Sequence, residues 1–322
     1  MSTDAAGKRG ATAFAPATVS NVAVGFDILG FAVEQTGDRV TVWKTEAPSV
    51  FIKEITGADG AAADPGIPLD PSRNTATVGL EALREDLQLA HGFEVAIEKG
   101  IALGSGLGGS AASAVAGLVA ANSLLESPLD AEALLGYALI GEQAASAAVH
   151  PDNVAPCLFG GLVLVTSVSP LRYVRLPVPE KILTVLAHPH VRIETRAARR
   201  LLRAEVPLAD YVRQSASLAG FVAGCYTGDY ELIGDCLRDH IVEPQRAPLI
   251  PGFASVKAAA IEAGALGASI SGSGPTVFAW VTSEEAAERV RSAMVRAFTE
   301  NGASGIDSWV SPVSGRGARV VR

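Results

Sequence analysis

The chain has 322 residues, enough for two domains of ordinary size or one large domain. Hydrophobic residues make up 48% and charged residues 19% of the sequence, which excludes a largely disordered chain. The formal net charge of −8 disfavours nucleic-acid binding, because such proteins normally present a basic face. Three cysteines without metal-binding spacing favour a reducing, cytoplasmic setting. The uncharged stretch 100–125 begins with glycine and serine, so we expect no membrane span.

The first half of the chain alternates predicted strands and helices. Residues 39–43 and 50–55 are enriched in β-branched and aromatic side chains, which is typical of strands. Residues 57–71 are rich in Gly, Ala, Asp and Pro and predict a surface loop. A helix is expected over 75–87, and the apolar alternation over 93–97 predicts a half-buried antiparallel strand.

The run Gly104-Ser-Gly-Leu-Gly-Gly109 is followed by a predicted apolar helix. The run matches the dinucleotide-binding pattern, but the strand before it has a polar face, and Glu126, the acidic residue at about the right offset, ends a helix. Glycines let a backbone approach a ligand closely, and a helix start attracts anions. Anion binding with Ser110 assisting, or a plain glycine turn capped by Ser110, both fit this pattern. A further helix is predicted to begin at Ser127-Pro128.

The pattern of predicted strands and helices changes near residue 170. A strand is predicted over 182–187, and about three helices follow as far as 263. Residues 268–281 predict a strand, a glycine turn and a second strand, after which Ser283 caps a last helix. These patterns predict an α+β fold of two domains, 1–170 and 171–322.

Three separated segments resemble the motifs of the GHMP small-molecule kinase superfamily. They are Pro16-Ala-Thr-Val-Ser-Asn-Val-Ala-Val-Gly-Phe-Asp27, the glycine run with Ser110-Ala111, and Ile270-Ser-Gly-Ser-Gly-Pro-Thr276. They stand in the order and spacing of that superfamily, and the resemblance covers about residues 12–310. It implies a ribosomal-S5-like N-terminal domain that carries the ATP-binding glycine loop, and a ferredoxin-like C-terminal domain.

Further elements resemble the homoserine kinases within that superfamily. They are His150-Pro-Asp-Asn-Val-Ala-Pro156, Phe159-Gly-Gly161, Thr195-Arg-Ala-Ala-Arg199, and Ile241-Val-Glu-Pro-Gln-Arg246 with Leu249-Ile-Pro-Gly252. The resemblance implies phosphorylation of L-homoserine to O-phospho-L-homoserine for threonine biosynthesis, with ATP and Mg²⁺ as cofactors. ATP would lie in the glycine loop and homoserine in a cleft between the domains. A homodimer is what the family suggests.

The resemblance also implies roles for particular residues. The nucleotide would contact Asn74, Gly104, Ser105, Gly106, Leu107, Gly108, Gly109, Ser110 and Ala111. Homoserine would contact Asn21, Asp27, His150, Asn153, Arg199 and Arg246. Catalysis would rest on Ser110, Glu142 and Asn153, with Ser110 and Glu142 holding Mg²⁺ through oxygen. Asp27 can neutralise the ammonium of homoserine, while paired arginines suit its carboxylate.

Each of these residues also has a structural interpretation. Asp27 could be a turn aspartate, Glu142 could point to water, and Arg199 lies in a basic stripe that could face solvent. Two other functions also remain open at this point. One is a related kinase of the mevalonate, shikimate or sugar type, for which Asp152 beside Asn153 could be the catalytic base. The other is a non-catalytic ligand sensor on the same fold, which would have no use for a magnesium ligand.

Overall fold

The computed structural model describes residues 2–3, 9–146, 150–313 and 315–321. The strands are β1 Ser2–Thr3, β2 Arg9–Ser20, β3 Leu29–Thr45, β4 Val50–Gly57, β5 Gly92–Lys99, β6 Leu162–Val168, β7 Leu171–Leu176, β8 Leu183–Pro189, β9 Gly267–Ile270, β10 Val277–Val281, β11 Ile306–Pro312 and β12 Arg319–Val321. The helices are α1 Thr75–Asp86, α2 Gly109–Asn122, α3 Ala131–Ser146, α4 Pro151–Phe159, α5 Thr195–Arg200, α6 Leu208–Thr227, α7 Tyr230–Cys236, α8 Glu243–Arg246, α9 Phe253–Glu262 and α10 Glu284–Glu300. A 3₁₀ turn at Ala247–Leu249 follows α8.

The first sheet is organised around the long strand β3. Its main order is β1-β2-β3-β5-β4; β12 also pairs with β2, and β6 joins β3 to β7. The predicted strand at 93–97 is β5, which runs antiparallel to β3 as expected but parallel to β4. The pairing of β2 with β3 shifts register between Pro16 and Thr18, and such a bulge bends the strand locally. The bend lies at the start of the first superfamily motif.

The second sheet is antiparallel throughout and has the order β11-β8-β10-β9. Alternate residues of its strands contact different layers, as the two-residue period of a strand requires. Val185 and Val277 belong to the core formed with α9 and α10. Phe278 and Trp280 face the other way, with ring centroids 5.8 and 5.7 Å from that of Phe31 on β3. This aromatic contact packs the second sheet against the first.

The helices mostly follow the sequence pattern. Asn74 caps α1 and Ser283 caps α10 through their side-chain oxygens, as helix starts favour. The helix predicted from Ser127-Pro128 begins only at Ala131, so that boundary was wrong. The Asn122 side chain bonds both backbone polar groups of Leu129 and holds this segment as a connector.

The predicted division at residue 170 stays a prediction. Strand β7 pairs with β6, and β12 returns from the end of the chain to β2, so both belong to the first sheet. The mixture of helices with largely antiparallel strands agrees with the predicted α+β class. Within the described ranges, no helix is both long enough and apolar enough to cross a bilayer.

Candidate active site

The three superfamily motifs meet around one cavity of about 430 Å³. The Thr18 backbone N–H donates to Leu107 O at 3.1 Å, which joins the first motif to the glycine loop. The Ser271 hydroxyl donates to Gly106 O at 2.7 Å, and the Thr276 hydroxyl donates to Ser105 O at 2.6 Å, which join the third motif to the same loop. The first and third motifs are therefore both hydrogen-bonded to the glycine loop, the third across 165 and 171 residues of sequence.

The glycine loop forms one end of the cavity and owes its path to residues without a Cβ atom. Gly104, Gly106 and Gly108 all have φ near +70°, a conformation that glycine adopts without strain. A Cβ atom on Gly106 would collide with Ser271 O and stand 2.8 Å from Gly274 O. Gly108 precedes α2, whose start has no side-chain cap, so its first N–H groups suit an anionic ligand.

The residues predicted to bind the nucleotide differ in whether they line the cavity and in what their side chains contact. The loop residues and Ser110 line the cavity, but Ala111 does not, because its side chain lies fully in the core under α2. Asn74 also lines the cavity, although its amide is engaged elsewhere. Its side-chain oxygen accepts from Ala76 N at 3.0 Å, and its nitrogen donates to Pro68 O at 2.7 Å. Asn74 therefore fixes the wall of the cavity through α1.

The first motif continues into a segment of unusual backbone conformation. Asn21, Val22 and Ala23 have φ values of 68°, 43° and 56°, and Asp27 has 62°. Residues other than glycine rarely adopt such values, and strain of this kind clusters at functional sites. The Asn21 amide donates to Gly272 O at 2.9 Å and accepts from Asp27 N at 3.0 Å. Asn21 thus positions Asp27, and both of its amide atoms are already engaged.

The other end of the cavity gathers charged side chains. Arg199 donates from Nη2 to both carboxylate oxygens of Asp27 at 2.7 Å, so these two residues form an ion pair. Buried Arg246 donates to Gly272 O at 2.9 Å, and both guanidinium groups lie within 5.4 Å of the Phe26 ring centroid. The Nε atoms of both arginines are buried and have no hydrogen-bond partner among the described residues. Of the basic stripe on α5, Arg199 is the member held by Asp27.

Glu142 and Ser110 also line the cavity. Glu142 is only 4% exposed, so the interpretation in which it points to water is wrong. Its Oε1 lies 3.3 Å from Nδ1 of His150. Burial disfavours protonation of His150, but the hydrogen bond and charge of Glu142 outweigh it, and the pKa of the imidazole is raised. A carboxylate and a hydroxyl are hard oxygen donors suited to Mg²⁺.

Asn153 and Asp152 occupy the start of α4. Asn153 lines the cavity, and its Oδ1 accepts from the Thr18 hydroxyl at 2.9 Å. Asp152 is 1% exposed, and its Oδ2 accepts from Asn21 N at 3.2 Å. Its Oδ1 has no hydrogen-bond partner among the residues described. Burial, followed by the nearby charge of Asp27, raises the pKa of Asp152 to about 7.

Comparison with known proteins identifies the family. The family model "GHMP kinases N terminal domain" matches residues 74–161, and "GHMP kinases C terminal" matches 221–300. The chain is 51% identical over 313 residues to homoserine kinase of Xylella fastidiosa strain 9a5c, covering 97% of this chain and 94% of the relative. It is 49% identical over 319 residues to homoserine kinase of Xanthomonas campestris pv. campestris strain B100, covering 98% and 96%. The chain belongs to the homoserine kinase family.

A solved structure agrees with this membership. The crystal structure of homoserine kinase from Cytophaga hutchinsonii matches with a TM-score of 0.92 at 46% identity, covering 98% of both chains. The predicted fold class is confirmed. The resemblance drawn from the motifs is confirmed as well.

Sequence reasoning missed two charged residues near the glycine loop of this homoserine kinase family member. Lys99 lines the cavity, and fully buried Asp38 contacts it from β3. One signal for Lys99 was available, since it is the last charge before the uncharged stretch 100–125. Asp38 gave no such signal, because its partners lie more than 60 residues away in sequence.

Proposed function

We propose that the chain transfers the γ-phosphoryl group of ATP to the hydroxyl of L-homoserine and forms O-phospho-L-homoserine. The observation that carries the proposal is the single cavity with a glycine loop at one end and Asp27, Arg199 and Arg246 at the other. Its relatives carry the name homoserine kinase. A phosphate chain suits the first end, and a small zwitterion suits the second.

Asp27 is the proposed partner of the homoserine ammonium, and the two arginines are the proposed partners of its carboxylate. Arginine suits this role because its planar guanidinium can donate two parallel hydrogen bonds to one carboxylate. Asn153 lines the same cavity beside Gly108 of the glycine loop, and the acceptor hydroxyl would stand next to it. Phosphoryl transfer depends mainly on positioning and charge stabilisation, so holding both substrates in one closed frame is the main contribution of the chain.

Mg²⁺ is part of the proposal, with Ser110 and Glu142 as its protein ligands. The described residues contain no group of three or more His, Cys, Asp or Glu side chains that could hold a metal alone. ATP phosphates would therefore complete the oxygen shell, as is common for magnesium sites. When bound, the ion would neutralise charge that develops on the transferred group. The buried carboxylate of Glu142 gives this arrangement its fixed negative charge.

A coupled ADP-release assay tests the function. The protein is given ATP and Mg²⁺ with homoserine, mevalonate, shikimate or galactose in turn, and the product is identified by mass. We expect ADP release and a phosphorylated product with homoserine only. Turnover with another acceptor would assign one of the related kinase activities. Binding of homoserine without any ADP release would make the chain a sensor.

The setting of the enzyme is also proposed. We infer a cytoplasmic enzyme of threonine biosynthesis that acts as a homodimer. Helix α6 supports the dimer through exposed apolar side chains, namely Leu208, Tyr211, Val212 and Tyr226. Light scattering over a range of protein concentrations tests it, and a monomer at every concentration would remove the dimer from the proposal.

A further inference from the structure

Asp38 is a fully buried carboxylate that does not itself line the cavity. Its Oδ1 accepts from the backbone N–H groups of Gly100 and Ile101 at 3.0 and 3.2 Å. Its Oδ2 accepts from the Ser113 hydroxyl at 2.7 Å and from the Lys99 ammonium. One carboxylate on β3 therefore fixes the segment that leads into the glycine loop and, through Ser113, the helix that follows the loop.

The Lys99 ammonium completes this arrangement. It also donates to Gly109 O at 2.8 Å and to the Ser113 hydroxyl at 2.9 Å. It therefore stands beside the first turn of α2 and lines the cavity. A cation near a helix N-terminus is disfavoured by the helix dipole. The ammonium is held there against that repulsion by the buried negative charge of Asp38.

The ammonium lies close to Gly109 at the start of α2. A Cβ atom built on Gly109 would make an ordinary contact with Lys99 Nζ at 3.5 Å and a tight contact with Ile101 Cγ2 at 3.2 Å. A positive charge there faces the same space as the uncapped N–H groups of the helix, and both favour an anion.

We propose that Asp38 is a positioning residue for the nucleotide end of the cavity and acts through Lys99. This inference rests on the proposed function, because it takes the anion at the glycine loop to be the phosphate chain of ATP. Asp38 holds the Lys99 ammonium at the start of α2, and it holds the residues that precede the glycine loop against β3. Lys99 lines the cavity and acts on the nucleotide through its positive charge, because its three N–H donors are engaged by Asp38, Gly109 and Ser113.

Asp38→Asn isolates the charge. The amide oxygen can still accept from Gly100 and Ile101, but the partner charge of Lys99 is removed. We expect the KM for ATP to rise about tenfold or more, as expected when a charge-assisted contact is misplaced. The KM for homoserine should stay within about twofold, because Asp38 does not line that end. Direct binding of a non-hydrolysable ATP analogue should weaken by the same factor as the KM for ATP.

A double-mutant cycle tests whether Asp38 acts through Lys99. Lys99→Met should weaken binding of the ATP analogue about tenfold or more, and Asp38→Asn combined with Lys99→Met should be no weaker than Lys99→Met alone. Independent roles would instead multiply the two losses, which would overturn the proposed route. Ser113→Ala, which removes one donor from the same cluster, should give a smaller loss in the same direction. If Asp38→Asn does not fold, binding of the ATP analogue by Ser113→Ala tests the proposal instead, and unchanged binding would contradict it.

The neighbouring ion pair on the same two strands provides a matched control. Arg39 and Glu98 stand one residue from Asp38 and Lys99, pair at 3.0 Å, and are exposed. Arg39→Gln should leave binding of the ATP analogue and both KM values unchanged, since exposed pairs contribute little. If Asp38→Asn lowers the melting temperature but leaves analogue binding unchanged, Asp38 is only structural and the inference fails.

Failure of the proposed function would look different. A wild-type chain that binds the ATP analogue but phosphorylates no homoserine would overturn the function, while the Asp38→Asn binding comparison could still be made. A wild-type chain that binds no ATP analogue would overturn both.

Discussion

The two ends of the cavity differ in what shapes them, which is a glycine loop at one end and charged side chains at the other. At the glycine-loop end, the path of the backbone sets the shape, and that path depends on glycines such as Gly106, whose place no residue with a Cβ atom could take without a collision. At the other end, the surface is charged side chains, and Asp27, Arg199 and Arg246 are brought together by a strained turn and two helices. The first end depends on the path of the chain, and the second depends on a balance of charge.

The charge balance has a consequence for ligand choice. Arg199 and Asp27 neutralise each other across 2.7 Å. A ligand that carries both an ammonium and a carboxylate can give each of them a new partner. A ligand that carries only one charge leaves the other residue unpaired in a half-buried site, which is costly. If Asp27 and Arg199 bind the substrate as proposed, the pair would favour zwitterions over compounds with a single charge.

Glu142→Gln should produce the largest loss of turnover, because this residue is proposed to hold the magnesium ion that serves both substrates. The amide keeps the size of the side chain but removes the negative charge proposed to hold Mg²⁺. We expect kcat to fall about 1,000-fold, corresponding to about 4 kcal/mol of lost transition-state stabilisation. Steady-state kinetics at saturating ATP and Mg²⁺ measure the loss, and a melting curve checks that the variant is folded.

Glu132 on the same helix provides the control. It is exposed, and its contact is a hydrogen bond from the Tyr173 hydroxyl at 3.2 Å. Glu132→Gln should leave kcat within about twofold of wild type, since exposed polar contacts contribute little. Near wild-type turnover in Glu142→Gln would remove Glu142 from the proposed magnesium site.

Asp27→Asn tests the charged end alone. Loss of the carboxylate should raise the KM for homoserine about 10- to 100-fold, because a charge-assisted hydrogen bond contributes about 1.5–3 kcal/mol. The KM for ATP should barely change. Wild type should reject 4-hydroxybutyrate, which lacks the amine, and the variant should lose most of that preference. Inhibition constants for this analogue in both proteins measure the change.

The ion pair of Asp210 and Arg213 is the matched control for this substitution, since it has the same 2.7 Å distance and the Asp210 side chain is 30% exposed against 31% for Asp27. Asp210→Asn should alter neither KM. If Asp27→Asn keeps the preference for the amine, Asp27 is a turn residue. If ATP binding is lost instead, Asp27 belongs to the nucleotide end.

The sequence predicted the backbone end better than the charged end. Glycine runs, the helix cap at Ser283 and strand alternation are local patterns, and the structure contains each of them. The motifs also predicted that Asp27, Glu142 and Arg246 line one cavity, and they do. Local patterns carry no information about which distant charges pair. The sequence therefore did not indicate the Asp27–Arg199 pair.

The sequence also did not predict the burial of Glu142 or the long-range pairing of strands. Glu142 lies among alanine and leucine on α3, a pattern that fits a solvent-facing or a buried position equally well, and only packing decides between them. The return of β12 to β2 joins residues more than 300 positions apart. The parallel contact of β4 with β5 is equally invisible in the alternation of either strand. Such features follow from tertiary packing and not from local propensity.

Asp152→Asn tests whether Asp152 accepts the proton of the acceptor hydroxyl. This substitution should have the smallest effect on turnover. The related kinases are expected to carry an aspartate base where this chain has Asn153, so we expect kcat to change less than about threefold, far below the loss expected for a general base. A loss of 100-fold or more would make Asp152 the base and reopen the mevalonate-type interpretation. Its partner Asn21 N keeps an acceptor, because the amide oxygen replaces a carboxylate oxygen.

The pH dependence of the free energy of unfolding tests the same substitution in a second way. The pKa of Asp152 is raised from 3.8 to about 7 in the folded chain, so the folded state binds more protons than the unfolded state between these values. The carboxyl therefore weakens the fold as pH rises from about 4 to about 7, at up to about 1.4 kcal/mol per pH unit. Asp152→Asn should remove that loss, so its stability relative to wild type should be greater at pH 8 than at pH 5. Denaturant unfolding at both pH values measures the difference. An equal difference at both would mean that Asp152 is already ionised at pH 5.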